Sequence, residues 1–174
     1  MSLNPLKAER SIDPFDAASG VIRAYCRWHV APACRHQVKI SPLGSRTIIL
    51  PTLKLRELHS LVVDGTDLTN ECDWDENGVI TLRSGTFPDR PGSVSVDMTH
   101  GYDLTEVPEV LDLAAQIAAR ARVASEHGTG VISQGAGPFT VRHATRIDGQ
   151  VGGTALFEGE KTLLSRYRLM NGNT

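Results

Sequence analysis

Val94-Ser-Val-Asp-Met-Thr-His-Gly-Tyr-Asp103 and, a few residues on, Val107-Pro-Glu-Val-Leu-Asp-Leu-Ala-Ala-Gln-Ile-Ala-Ala-Arg120 join a strand to a helix. In the first segment apolar and polar residues alternate, the period of a half-buried strand. In the second, Val110, Leu111, Ala114, Ile117, Ala118 and Ala121 share one helix face. Pro108 opens this helix, where its missing N–H costs nothing. The His100-Gly101-Tyr102 turn between them is placed like an active-site loop, yet no nucleophile, base pair or phosphate cradle lies on it. That combination points to a protein that works through surfaces.

Upstream, from about His36 to Tyr102, the period stays at two. Val38–Ile40, Thr47–Leu50, Leu55 with Leu58–Val63, Val79–Leu82 and Val94–Met98 read as short strands. Asp64-Gly65 and Asn77-Gly78 supply the positive φ angles of tight hairpins. Before them, Asp13-Pro14 reads as helix cap and first helical position. Phe15, Ala18, Val21, Ile22, Tyr25 and Cys26 form the apolar stripe of that helix, and Pro32 stops it. Gly20 weakens the helix or marks a close approach to another helix.

Downstream, the helix from Pro108 runs to about His127 and ends at Gly128 and Gly130. Val131 to Ala144 reads as a glycine-tipped hairpin or flexible loop, residues 149–153 as a glycine-rich spacer, and Glu158 to about Met170 as a last short helix. The fold class is α+β, with a small core of about three helices, an inserted antiparallel β module over about residues 36–102, and a glycine-rich hairpin or loop. Residues 1–12 read as a flexible arm and 13–174 as one domain.

The 174 residues carry 40% hydrophobic and 22% charged side chains, ordinary for a globular protein with a real core. Aromatics at 5% argue against a stacking platform for single strands, and a net charge of −2 against a generally basic nucleic-acid coat. Cys26, Cys34 and Cys72 are odd in number and follow no secretory leader, so free thiols in a reducing compartment are expected. No apolar run is long enough to span a membrane.

Several constellations invite chemistry. Asp73-Trp-Asp75-Glu-Asn77-Gly78 copies the first half of a calcium loop, but its twelfth position is Ser84, and a hairpin turn explains the same residues. Cys26, His29, Cys34 and His36 are zinc-compatible types in a spacing that matches no usual finger. Gly128 to Pro138 lacks the Lys-Ser/Thr pair of a phosphate loop. Neither a metal nor a cofactor is expected. Arg142, His143 and Arg146 form a basic edge. Arg166-Tyr-Arg168-Leu-Met170 reads equally as a helix docked on its own domain or as an anchor for a partner, since Arg, Tyr and Met favour interfaces.

Taken in order, "ILP" leading to "LHSLVVDG", then "WDENGVITL", "VSVDMTHGYD", "VPEVLDLAAQIAARA", "GVISQGAGPFTV" and a terminal "LLSRYR" resemble the head-to-tail connector (adaptor) proteins of long-tailed bacteriophages. The resemblance spans roughly residues 13 to 169; the spacer at 144–156 is longer and richer in glycine than the pattern. It implies a structural virion protein with a helical core and a peripheral β module. Such a protein forms a neck ring, usually of twelve copies, between the portal and the stopper or tail-completion protein, and extends the channel for double-stranded DNA. It implies production in the host bacterial cytoplasm, no membrane, no enzyme activity, and DNA contact without sequence specificity. A near-neutral subunit suits DNA that must slide.

On this reading Leu163, Arg166, Tyr167, Arg168, Leu169 and Met170 are the expected portal contacts. Ser133, Gln134, Gly135, Gly137, Phe139 and Arg142 form the expected channel or inter-subunit loop, ordering on assembly. The rivals are another neck or tail ring protein, such as a stopper or tail terminator, expected to be mainly β, and a small cytoplasmic enzyme using His100, Asp103 and Glu106. The His-Gly-Tyr turn becomes the point where the β module returns the chain to the helical core, with His100 and Tyr102 setting the angle between the two.

Overall fold

In a computed structural model of the chain, residues 13–127, 133–136, 139–142 and 153–170 are described. Helix α1 (Pro14–Cys26) starts as its sequence dictates: the Asp13 carboxylate accepts from the Phe15 N–H at 2.8 Å and Pro14 occupies the first turn. The helix closes at Arg27, in a left-handed conformation at φ 69°, five residues before Pro32. Gly20 is exposed with open space around it, so it marks no helix contact.

The β module follows. Strands β1 (Cys34–Ile40), β3 (Leu55–Val63), β4 (Thr66–Asp67) and β7 (Val94–His100) form one antiparallel sheet in the order β1-β7-β3-β4. Strands β2 (Thr47–Ile49), β5 (Cys72–Trp74) and β6 (Val79–Leu82) form a second, in the order β2-β6-β5. Burial alternates without a fault along β7, and its inward Val94, Val96 and Met98 meet Ile48, Cys72, Ile80 and Leu82 of the other sheet in one apolar core. The module is therefore a small sandwich, with β4 and β5 added to the strands expected from the alternation.

The helical core is separate. Ala18, Ile22 and Cys26 of α1 pack on Val110, Leu113, Ala114 and Ile117 of α2 (Pro108–His127), with Leu164 and Tyr167 from the C-terminal segment. Helix α3 (Glu158–Leu164) is shorter than the sequence suggests and passes into a 3-10 turn at Ser165–Tyr167. The cause is competition for backbone groups. The Trp28 indole donates to the Tyr167 carbonyl at 2.6 Å, and the Leu169 N–H donates to the Cys26 carbonyl at 3.0 Å, so the expected last turn is tied to α1 instead. Gly153 lets the incoming chain touch α2, since a Cβ there would lie 2.8 Å from the Ala121 Cα. The hairpin of β8 (Ser133–Ala136) and β9 (Phe139–Arg142) follows α2 in the chain.

Entry to and exit from the module lie side by side. Cys34 pairs with His100 across β1 and β7, the Gly101 N–H donates to the Lys54 carbonyl at 2.8 Å, and the Tyr102 N–H donates to the Val30 carbonyl at 2.7 Å. Gly101 holds φ 103°, and a Cβ would meet the Ala33 Cα and the Val30 carbonyl oxygen at 3.2 Å each. Those are backbone atoms and cannot step aside. Gly101→Ala is expected to destabilise the protein by about 2 kcal/mol or more in urea titration. A change below about 0.5 kcal/mol, the range of an ordinary surface substitution, would contradict this account of the junction.

Candidate functional site

Two places gather the residues that the sequence singled out: the junction and the C-terminal seam. At the junction His100 is 2% exposed, and neither ring nitrogen has a hydrogen-bond partner. Its ring stacks on His36 at 5.7 Å between centroids, with His29 and Trp28 each at 6.1 Å. Burial first, then the neighbouring His29 and His36, pushes its pKa down to about 4. The neutral ring therefore behaves as an aromatic core residue. Tyr102 stands edge-on to both Trp28 and Tyr167, tying the turn to the helical core.

The catalytic constellation does not assemble. Asp103 and Glu106 both face Arg56, whose Nε also donates to the Gly101 carbonyl at 2.8 Å, so the two carboxylates brace the turn. The zinc-compatible set disperses as well. Cys26 is buried in the helical core with its thiol pushed up to about 11 by desolvation. His29 accepts from Arg23 and donates to the Pro32 carbonyl, while His36 stacks on His100. Among the described residues no group of three or more His, Cys, Asp or Glu side chains is placed to hold a metal. In the calcium-like stretch, Asp75 accepts from the Asn77 and Val79 N–H groups and Asp73 pairs with Arg83, which is the hairpin-turn reading. No helix among the described residues is long and apolar enough to cross a membrane.

The C-terminal seam is docked on the chain's own helices, one of the two readings left open by the sequence. Tyr167 is buried, its hydroxyl donates to the Glu109 carboxylate, and its pKa is pushed up to about 12 by burial and by that bond. The bond in turn holds Glu109 below the usual carboxylate range. Arg120 of α2 reaches Glu160 and the Ala155 carbonyl, and Glu160 also takes the Phe157 N–H at the start of α3. Leu163 and Leu169 pack partly buried on the helical core. Of the six expected contact residues, Arg166, Arg168 and Met170 remain outward, with Met170 92% exposed.

For the hairpin, the backbone pairs Ser133 with Arg142, Gln134 with Val141 and Ala136 with Phe139. Gly137, His143, Arg146 and residues 1–12 lie outside the described residues. Sequence reasoning missed two carboxylates that organise the seam, Glu109 and Glu160, and offered Glu106 as a catalytic candidate where it braces the turn against Arg56. The partners of these three are 58, 40 and 50 residues away in the chain, respectively, and no local pattern marks the pairings.

Linkage makes the buried histidine measurable. An unfolded-state value near 6.5 against a folded value near 4 means that the unfolded chain binds the extra proton. Stability contributed by neutral His100 is complete above about pH 6.5, is lost as pH falls toward 4, and levels off below it, up to about 3 kcal/mol in all. His100→Phe keeps the stacking and is expected to flatten this limb while staying within about 1 kcal/mol of the parent at neutral pH. An unchanged acid limb in pH-dependent urea unfolding would contradict the assignment.

No family model and no curated protein matches the chain. Among solved structures, the fold is similar to that of a chain in the "Neck of empty GTA particle computed with C6 symmetry". The similarity covers 100% of this chain and 87% of that one, with a TM-score of 0.52 at 17% sequence identity. The described architecture, helical core and β module together, is thus shared with a protein of a particle neck.

Proposed function

We propose that the chain is a structural virion protein of a phage neck, forming a ring that joins the portal to the stopper or tail and lengthens the channel for double-stranded DNA. The observation that carries the reading is the fold similarity, over the whole of this chain, to a chain from a particle neck. The order of motifs along the sequence, which resembles the connector proteins, supports a neck role as well. A junction whose acidic and imidazole groups are consumed in holding the turn supports a structural role.

Each copy presents the helical body and the β sandwich to neighbours in a ring of twelve; the six-fold symmetry of that neck is contained in a twelve-fold axis. Arg166, Arg168 and Met170 face the portal, while Leu163, Tyr167 and Leu169 hold that edge in place from behind. The hairpin around Ser133, Gln134, Gly135, Gly137, Phe139 and Arg142 faces the channel or the next subunit. With a net charge of −2, the ring lets DNA slide without strong phosphate capture. The assembly belongs to the virion and is built in the host cytoplasm.

Leu164 and Tyr167 fill the helical core, so truncation at residue 158 removes the fold together with the surface. The cleaner test deletes the whole gene in the element that encodes the chain. DNA-filled heads without joined tails are expected in electron micrographs, with tail joining restored by the chain supplied in trans. Normal tailed particles from the deletion strain would refute the reading.

A further inference from the structure

Most arginines of the described body are held within it: Arg35, Arg83, Arg90 and Arg166 lie against Asp97, Asp73, Asp64 and Glu109. Arg27 and Arg168 are different. Both are exposed, and neither side chain has a hydrogen-bond or ion-pair partner among the described residues. They stand on adjoining backbone, because the Leu169 N–H donates to the Cys26 carbonyl at 3.0 Å. The Arg168 guanidinium lies over the Tyr25 ring at 5.3 Å, which limits its freedom, and Met170 beside it is 92% exposed.

A second observation concerns the backbone. Arg27 closes α1 in the left-handed conformation, a position that suits glycine or asparagine and strains a long side chain. Among the described residues the other non-glycine residue at positive φ is Asp64, a type that tolerates it and is paired with Arg90. The helix dipole favours a cation at the end of α1, but it does not explain placing a second unpaired arginine against the first. Position 27 thus keeps an arginine, without a hydrogen-bond or ion-pair partner among the described residues, in a backbone conformation that suits glycine better.

We propose that Arg27 and Arg168, with Tyr25 and Met170, form a docking patch for a carboxylate-bearing segment of the portal, the partner that this edge faces in the neck reading. The patch rests on the neck reading for the identity of that partner. Two guanidiniums match carboxylates in bidentate geometry, and the flanking Tyr25 and Met170 supply the apolar contact of a protein interface. A nucleic-acid track would need a longer basic stripe, and the chain's net charge is −2.

The test uses the full chain supplied in trans to the deletion strain, with two double variants. For R27G/R168Q, thermal unfolding reads the fold and mass spectrometry of purified particles reads docking. The Tm is expected to equal or exceed the parent's, because glycine relieves the left-handed strain, while incorporation falls about tenfold or more. In R27K/R168K particles, a zero-length carbodiimide is expected to join the substituted amines to an Asp or Glu of the portal.

Incorporation at the parent level, or cross-links that do not reach the portal, overturns the proposal. So does a drop in Tm large enough to account for the lost incorporation, which would make the arginines structural. Binding of a short DNA duplex that disappears in R27G/R168Q reassigns the patch to nucleic acid and overturns it too. Absence of the parent chain from particles is a distinct outcome: it sinks the neck reading and this inference with it.

Discussion

One crossing of the chain governs the architecture. At Gly101 the backbone leaves the sandwich so close to where it entered that a Cβ there would lie 3.2 Å from the Ala33 Cα and from the Val30 carbonyl oxygen. Two apolar cores that share no side chain are joined by two adjacent passages of one chain. Everything around the crossing holds its angle. Arg56 clamps the Gly101 carbonyl and two carboxylates, His100 stacks among aromatic rings on the module side, and Tyr102 wedges between Trp28 and Tyr167 on the helical side. The sandwich is therefore a presented unit whose orientation is set at a point.

The same residues explain where the junction's polar groups are directed. A buried histidine with two unpaired nitrogens is costly if charged, and its low pKa keeps it neutral. Neutral imidazole then serves as a flat ring among rings. Asp103 and Glu106 are drawn to Arg56 and away from any open cleft. Polar groups at the crossing are spent on rigidity, while unspent charge collects at the end of α1 and along the C-terminal seam.

Local signals were legible in the sequence and distant ones were not. The alternation of β7, the Asp13-Pro14 start and the Asp64-Gly65 and Asn77-Gly78 turns all depend on neighbours within a few residues, and each is where it was expected; on α2 the buried face takes in Leu113, which the expected stripe left out, while Leu111 and Ala121 are only half-buried. Strand β5 was missed because Cys72-Asp73-Trp74 carries a poor strand former at its centre and is held by pairing with β6. Strand β4 is two residues long and leaves no period to read. The end of α3 was misplaced because Trp28, 139 residues away from Tyr167, claims its carbonyl. Arginine at position 27 gave no sign of its left-handed cap, which emerges only from where α1 stops.

The central claim is that this fold occupies a neck. The most direct measurement is a cryo-electron reconstruction of particles from the element that encodes the chain, focused on the vertex where head meets tail. The account predicts a ring between portal and tail into which the helical core and β sandwich fit as one body, with the crossing at Gly101 as described and the C-terminal seam against another protein. A neck reconstructed without density for this chain, or the chain located elsewhere in the particle, would contradict it.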